Sequence, residues 1–278
     1  MVTCFICVAC GTQYAPSTEP PLECAICTDD RQYVPNEGQR WTTHDELVTS
    51  QRLRTELDDG LVGIGVHGRF GIPQRALLVD TAVGTVMWDC ISVATPAAVT
   101  ELQRRGGVEM IAISHPHFYS SMVEWSDALG GVPILLHADD ADWVMRPSPH
   151  IRFWHGDRLD IADDTTLLHL PGHFPGSSGL LHQDASSGRT RLLVGDSLHV
   201  AADRRHVTVM HSVPNYLPVG PATILDLRRR LEGLHFDDLY GFTWGLNIIG
   251  DAGAAVAQSL DRYLAAITDR APRACSVV

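Results

Sequence analysis

Three apolar stretches of this chain each run directly into side chains that ligate metals, and this constrains its fold more than any other feature. Residues 111–114 (IAIS) run into His115-Pro116-His117, residues 168–170 (LHL) into Pro171-Gly172-His173, and residues 192–195 (LLVG) into Asp196. Short apolar runs of this kind read as buried strands, and the loops that follow strands are where a rigid scaffold presents its ligands. The chain holds 14 histidines, so a pair by itself means little; the placement of these three, each just past a strand, carries the weight. Neutral imidazoles with a carboxylate make a good first shell for zinc.

The rest of the sequence alternates such runs with helical patterns. LVGIGVHG (61–68) and ALLVDTAVGTVMWDC (76–90) read as consecutive strands with a turn at Gly84, and VPILLH, TTLLHL, GLLHQ and RLLVGD as further strands. Helices are expected over 121–129, 138–145, 225–234 and 254–267. In the last of these Val256, Leu260, Tyr263, Leu264 and Ile267 share one face. Ser121 and Glu124 have the spacing of a capping box, which starts a helix just past the histidine pair. Many strands with interspersed helices imply a layered α/β or α+β domain in which sheet is buried against helix.

Five of the seven cysteines fall in the first 27 residues. Cys7/Cys10 and Cys24/Cys27 have the C-x-x-C spacing of a zinc ribbon, which lets two thiolates on one tight turn meet a tetrahedral ion. Gly11 after Cys10 suits the knuckle because it tolerates positive φ. Cys4 could instead pair with Cys7, and two disulfides are the competing reading. A segment this short cannot build an adequate core, so the ion would supply its folding energy. Four thiolates leave no open coordination position, and the role is structural. The turn at Pro35, Asn36 and Gly38 divides the chain into a ribbon-like module at 1–40 and a larger domain at 41–278.

Composition removes several alternatives. The net charge is −12, and residues 1–40 hold five acids against two arginines, so nucleic acid is not the expected partner. All 21 basic residues are arginine, which excludes a lysine Schiff base and a P-loop lysine. No apolar run reaches the roughly 18 residues of a membrane helix, and the cysteine-bearing N-terminus does not read as a signal peptide. A cytoplasmic location and a small-molecule substrate are expected.

With these motifs in place, residues from about 60 to 265 resemble the metallo-β-lactamase fold superfamily. The order matches: an Asp at a strand end (Asp89 in VMWDC or Asp80 in LLVDT), HxH, PGH-x-x-G, then GD. The resemblance implies an αββα sandwich with metal at one sheet edge, held by His115, His117 and His173, with Asp196 completing or flanking the site. The family pattern is HxHxDH, and here Tyr119 and Ser120 stand at the last two positions, which in the family serve mainly a second metal. One active-site zinc is therefore expected besides the one in the cysteine module, with Fe2+ as another possible occupant of the histidine site. The resemblance implies a hydrolase that attacks an ester, thioester or lactone carbonyl with metal-activated water. Asp196 would orient the water, or Tyr119 would donate to the oxyanion, although Tyr119 also reads as a packed aromatic. Other readings are a lyase, decarboxylase or Fe-dependent oxygenase at the same ion, or a non-catalytic interaction protein. Ser120 and Ser121 read as caps; His137 as a core or ligand-orienting residue; His199, His206 and His211 as structural; Cys90 and Cys275 lack a base partner.

Overall fold

The structure, a computed structural model, describes residues 2–268; Cys275 lies outside them. Two sheets stack face to face with helices on both outer sides. The hairpin Ala76–Thr81/Gly84–Trp88 shows why. Its side chains alternate: Leu77, Val79, Val86 and Trp88 join the layer between the sheets, while Ala76, Leu78 and Met87 join the layer under the helices. Period-two alternation with both faces apolar demands cover on both sides. Gly84, at φ +118°, closes the turn.

The first sheet has seven strands in sequence order: Arg52–Asp58, Leu61–His67, Ala76–Thr81, Gly84–Trp88, Met110–Ala112, Ile134–His137 and Ile151–Trp154. The first four pair antiparallel and the last four parallel. Each parallel step needs a crossover. Helices Pro96–Arg104 and Met122–Ala128 supply two of them and a 3-10 segment, Ala138–Trp143, the third. The second sheet runs Arg158–Ala162, Thr165–His169, Ser178–Asp184, Arg189–Leu193, Asp238–Tyr240 and Asn247–Ile249. Helices Pro221–Leu231 and Ala252–Ile267 cover its outer face through Ile224, Leu227, Val256 and Leu260. Because the strands at Trp88, Ala112 and His137 run parallel, their carboxyl ends share one edge, the usual place for a ligand site in such sheets.

The expected helices at 121–129, 225–234 and 254–267 appear as Met122–Ala128, Pro221–Leu231 and Ala252–Ile267, and 138–145 as the 3-10 segment. The capping box does not form. Ser121 Oγ donates instead to Ser92 O at 2.6 Å, and Glu124 is taken by Gln13 and Arg146. The strands absent from the sequence reading include all four sheet edges: Arg52–Asp58, Ile151–Trp154, Arg158–Ala162 and Asn247–Ile249. Arg52–Asp58 and Arg158–Ala162 are rich in charge and Asn247–Ile249 is only three residues long, which keeps edges from pairing with other chains and also removes the apolar signal.

At the N-terminus, Phe5–Cys7 pairs with Trp41–Thr43, so the ladder crosses the division expected at residue 40. Helix His44–Ser50 follows, with a capping box closed between Thr43 and Glu46. No described helix is long and apolar enough to cross a membrane.

A buried cation ties the two sheets together. Arg75 Nε lies 2.7 Å from Asp58 Oδ2 in the first sheet. Its Nη1 and Nη2 donate to Gly241 O at 2.6 Å and Asn247 Oδ1 at 2.9 Å in the second. Removing one partner of such a pair strands the other charge. Arg75→Ala is expected to destabilise the fold by about 3–5 kcal/mol, measured by chemical denaturation.

Candidate metal centre

The tools of ligation assemble at two neighbouring places. In the first, Cys7 and Cys10 lie on a knuckle closed by Gly11 N donating to Cys7 O at 2.8 Å, with Gly11 at φ +86°. Cys24 precedes the helical turn Ala25–Thr28, which carries Cys27. The Sγ–Sγ distances are 3.6 Å for Cys7–Cys27 and 3.5 Å for Cys10–Cys24. A disulfide would need about 2.05 Å, whereas a tetrahedral zinc–thiolate shell has edges of about 3.8 Å. All four cysteines are buried and free, and Cys4 stands outside the group.

The second place is the shared strand edge. Ligand atoms of His115, His117, His173 and Asp196 lie within 4.8 Å of one another. His117 Nδ1 is 3.0 Å from His173 Nε2, and Asp196 Oδ2 is 3.4 Å and 3.6 Å from the Nε2 atoms of His115 and His173. A tetrahedral shell with metal–nitrogen bonds of about 2.1 Å has edges of about 3.4 Å. The hydrogen bonds around the rings fix which nitrogens are free. His173 Nδ1 faces Met210 O at 3.0 Å, and a carbonyl only accepts, so Nδ1 carries the proton and Nε2 a lone pair. Burial, with His173 and His115 nearby, drives the His117 pKa well below its usual value; burial above all lowers His173 to about 4. Both rings are neutral near pH 7. His115 Nε2, which faces this group, is buried without a hydrogen-bond partner, and such an atom is costly unless something satisfies it. The donor set fits one divalent cation.

Around it, Asp89 sits at a left-handed strand end (φ +60°) and accepts from Ser114 N at 2.8 Å. Ser114 Oγ in turn meets His115 Nδ1 at 2.8 Å. Asp89 is therefore the strand-end Asp at the site. Asp80 instead takes Thr85 Oγ1 across the hairpin. Phe118 and Phe174 pack on the imidazoles. Asp140, from the 3-10 segment, accepts from Gly176 N at 2.8 Å in the His173 loop; burial raises its pKa to about 6. Arg31 Nε donates to His173 O at 2.7 Å, with the guanidinium 4.4 Å from the Phe174 ring centroid. Ser114, Asp140 and Arg31 had no motif to mark them; only the fold brings them here.

The structure does not bring Tyr119 to this group. It is packed in the core under helix Met122–Ala128 and shares no hydrogen bond or ring contact with the four ligands. Burial holds its phenol neutral. Ser120 Oγ accepts from Gln74 Nε2 at 3.1 Å and is not a free ligand. Phe242 stacks between Phe118 and His199. A third group, His137, Asp139 and His169, is a poor site. Its two rings stack at 4.0 Å and 18°, so their in-plane lone pairs do not converge, and His169 Nε2 is spent on Pro175 O at 2.7 Å. A cavity of about 660 Å³ opens at the opposite strand ends between Asp80, Asp164, Asp184 and Arg191.

Sandwich and edge site together define the metallo-β-lactamase fold. The similar solved structures include a B3 metallo-β-lactamase with an active-site glutamic acid (17% identity, 75% of this chain, 87% of that one, TM-score 0.51). TTHA1623 in a di-iron-bound form is also similar (21%, 68% and 94%, TM-score 0.51), as is a β-lactamase from Chitinophaga pinensis (15%, 77% and 91%, TM-score 0.51). No family model matches. Over 266 residues, 95% of this chain and 96% of the other, the sequence is 36% identical to the uncharacterized protein YmaE of Bacillus subtilis (strain 168), and the chain belongs to the same family.

Two outcomes follow for the site. A Cβ on Gly195 (φ +51°) would stand 2.2 Å from Ser114 Oγ and 3.3 Å from His115 Nδ1. Gly195→Ala is expected to weaken metal retention at the histidine group about 10-fold or more, read by metal content after dialysis. Asp140 has a folded pKa above its unfolded value of about 3.9, so ionising it costs stability as pH rises from about 4 to about 6. Relative to wild type, Asp140→Asn should gain on the order of 2–3 kcal/mol between pH 4 and pH 7, measured as the difference between paired denaturation curves.

Proposed function

We propose that this chain is a mononuclear metallohydrolase acting on a small molecule with an ester, thioester or lactone carbonyl. The observation that supports it most is the set of four donor atoms at metal-edge spacing, with the lone pair on His173 Nε2 fixed by the bond to Met210. His115, His117 and His173 would hold the ion and leave one position open for water, with Asp196 flanking that position. When bound, zinc acidifies water toward a pKa of about 7 and polarises a carbonyl.

The protein does the rest. Asp196 Oδ1, buried and without a protein partner, is placed to accept a hydrogen bond from the attacking water and to orient it. The imidazoles around Asp196 outweigh its burial and lower its pKa, so it acts as a carboxylate. Ser114, held by Asp89, and Met210 keep two imidazoles in register. Phe118 and Phe174 exclude bulk water from the metal side. At the two positions that would serve the family's second metal, Ser120 is engaged by Gln74 and Tyr119 is packed in the core.

One feature favours a second reading. Tyr119 stands where the family places a water-orienting Asp, and three imidazoles with one carboxylate also suit Fe2+. A lyase, decarboxylase or oxygenase would then need iron for turnover.

The purified chain is expected to hold two ions, one per cluster. His117→Ala should hold one, with hydrolysis of a panel of esters, thioesters and lactones reduced more than about 100-fold. Elemental analysis and initial rates check this. A His117→Ala chain that keeps both ions and its rate refutes the assignment. A wild-type chain with one ion points to an interaction protein instead.

A further inference from the structure

The two clusters are mechanically joined, and each cysteine knuckle touches a different histidine loop. The first knuckle lies against the loop of His115 and His117. Gln13 N donates to Ser120 O at 3.2 Å. Gly11 packs so closely on Ser92 that a Cβ would come within 2.1 Å of its Oγ. Gln13 Nε2 also donates to Glu124 at 3.0 Å, in the helix after that loop. The second knuckle reaches the loop of His173. Asp29 follows the helical turn that carries Cys27 and holds Arg31 Nη1 at 2.8 and 2.9 Å. Arg31 Nε then donates to His173 O, and the guanidinium lies over Phe174.

The same segment grips the other anchor of His173. Ser212 Oγ donates to Arg31 O at 2.9 Å, and Asn215 Nδ2 donates to Asp30 O and Gln32 O. Ser212 lies in the strand Met210–Ser212, whose Met210 O accepts the His173 ring proton. His173 is thus fixed at backbone and ring by one short segment of the cysteine module. The four sulfurs join the two knuckles, with Ala25 N donating to Tyr14 Oη at 2.7 Å beside them, and a module of this size depends on its ion to stay folded.

We propose that Arg31 is a positioning residue that links His173 to the cysteine module, so that the ion held by Cys7, Cys10, Cys24 and Cys27 sets the affinity of the histidine centre for its own metal. Two ions on one chain are then not independent. The first fixes how far apart the loop of His115 and His117 stands from the loop of His173. The inference rests on the metal reading of the histidine group but not on any particular reaction.

Cobalt binding to the full chain separates the two sites, because thiolate-to-cobalt charge-transfer absorption reports the cysteines alone. Competition with a chelator then gives the affinity of the histidine centre. Arg31→Ala is expected to lower that affinity about 10- to 100-fold while leaving the charge-transfer band and the melting temperature in place. Arg31→Lys should restore only part, since one ammonium cannot serve His173 O, Asp29 and the Phe174 face together. Cys27→Ser should abolish the cysteine band and weaken the histidine centre, and its effect on that centre should largely vanish in an Arg31→Ala background. If Cys27→Ser does not fold, Asp29→Ala carries the same test with every thiol intact and should weaken the histidine centre in the same direction. Wild-type affinity in both Arg31→Ala and Asp29→Ala overturns the coupling, as do fully additive effects of Arg31→Ala and Cys27→Ser. A wild-type chain that binds cobalt only at thiols overturns the histidine-centre reading, and the coupling with it.

Discussion

Everything at the strand edge depends on lone pairs that face one another out of water. His173 Nε2 must carry its lone pair because Met210 O takes the proton on the other nitrogen, and it looks across 3.0 Å at His117 Nδ1. The carboxylate of Asp196 comes within 3.6 Å of the same atom. A buried acceptor without a donor costs roughly 1–3 kcal/mol, and His115 Nε2 and Asp196 Oδ1 are both buried here without a hydrogen-bond partner. A cation answers all of them at once. The outer hydrogen bonds therefore matter as much as the ligands, since Ser114, Met210 and Arg31 decide where each lone pair or loop lies.

The rest of the architecture can be read as what it takes to hold those groups. The parallel half of the first sheet brings the ends of Gly84–Trp88 and Met110–Ala112 to one edge, which sets Asp89 beside Ser114. The second sheet contributes Asp196 past Arg189–Leu193 and His173 past Thr165–His169. Arg75 binds groups of both sheets near that edge, including Gly241, next to Phe242 of the site's aromatic wall. A small relative movement of the sheets would separate donors that must agree to a fraction of an ångström.

How much of this was legible depended on whether a signal was local. The central strands were, because a strand buried on both faces is apolar throughout. The edges were not, since RLRTELD at 52–58 spends its polar side chains on solvent. The cysteine pairs were legible by spacing and the histidines by position at strand ends. Arg31 and Asp140 were not, because their meaning lies in contacts 142 and 36 residues away along the chain. Tyr119 was ambiguous for the same reason: from sequence a phenol beside a metal motif is indistinguishable from one packed in a core. Ser121 shows the limit of a short motif. It has the spacing of a cap, yet its hydroxyl finds Ser92 O, a partner 29 residues back.

The departures from the family pattern gain a physical sense once the cysteine module is in view. Ser120, where the resemblance places a second-metal ligand, lies at φ +38° with its carbonyl bonded to Gln13 and its hydroxyl to Gln74. A Cβ built on Gly11 of the first knuckle would stand 3.9 Å from that hydroxyl. The cysteine module thus braces the loop of His115 and His117 from outside, through the position where the resemblance places a second-metal ligand. A structural ion held by four thiolates keeps no open position and exchanges no ligand with substrate. With both clusters filled, support of the loop would fall to one ion and reactivity would be left to the other.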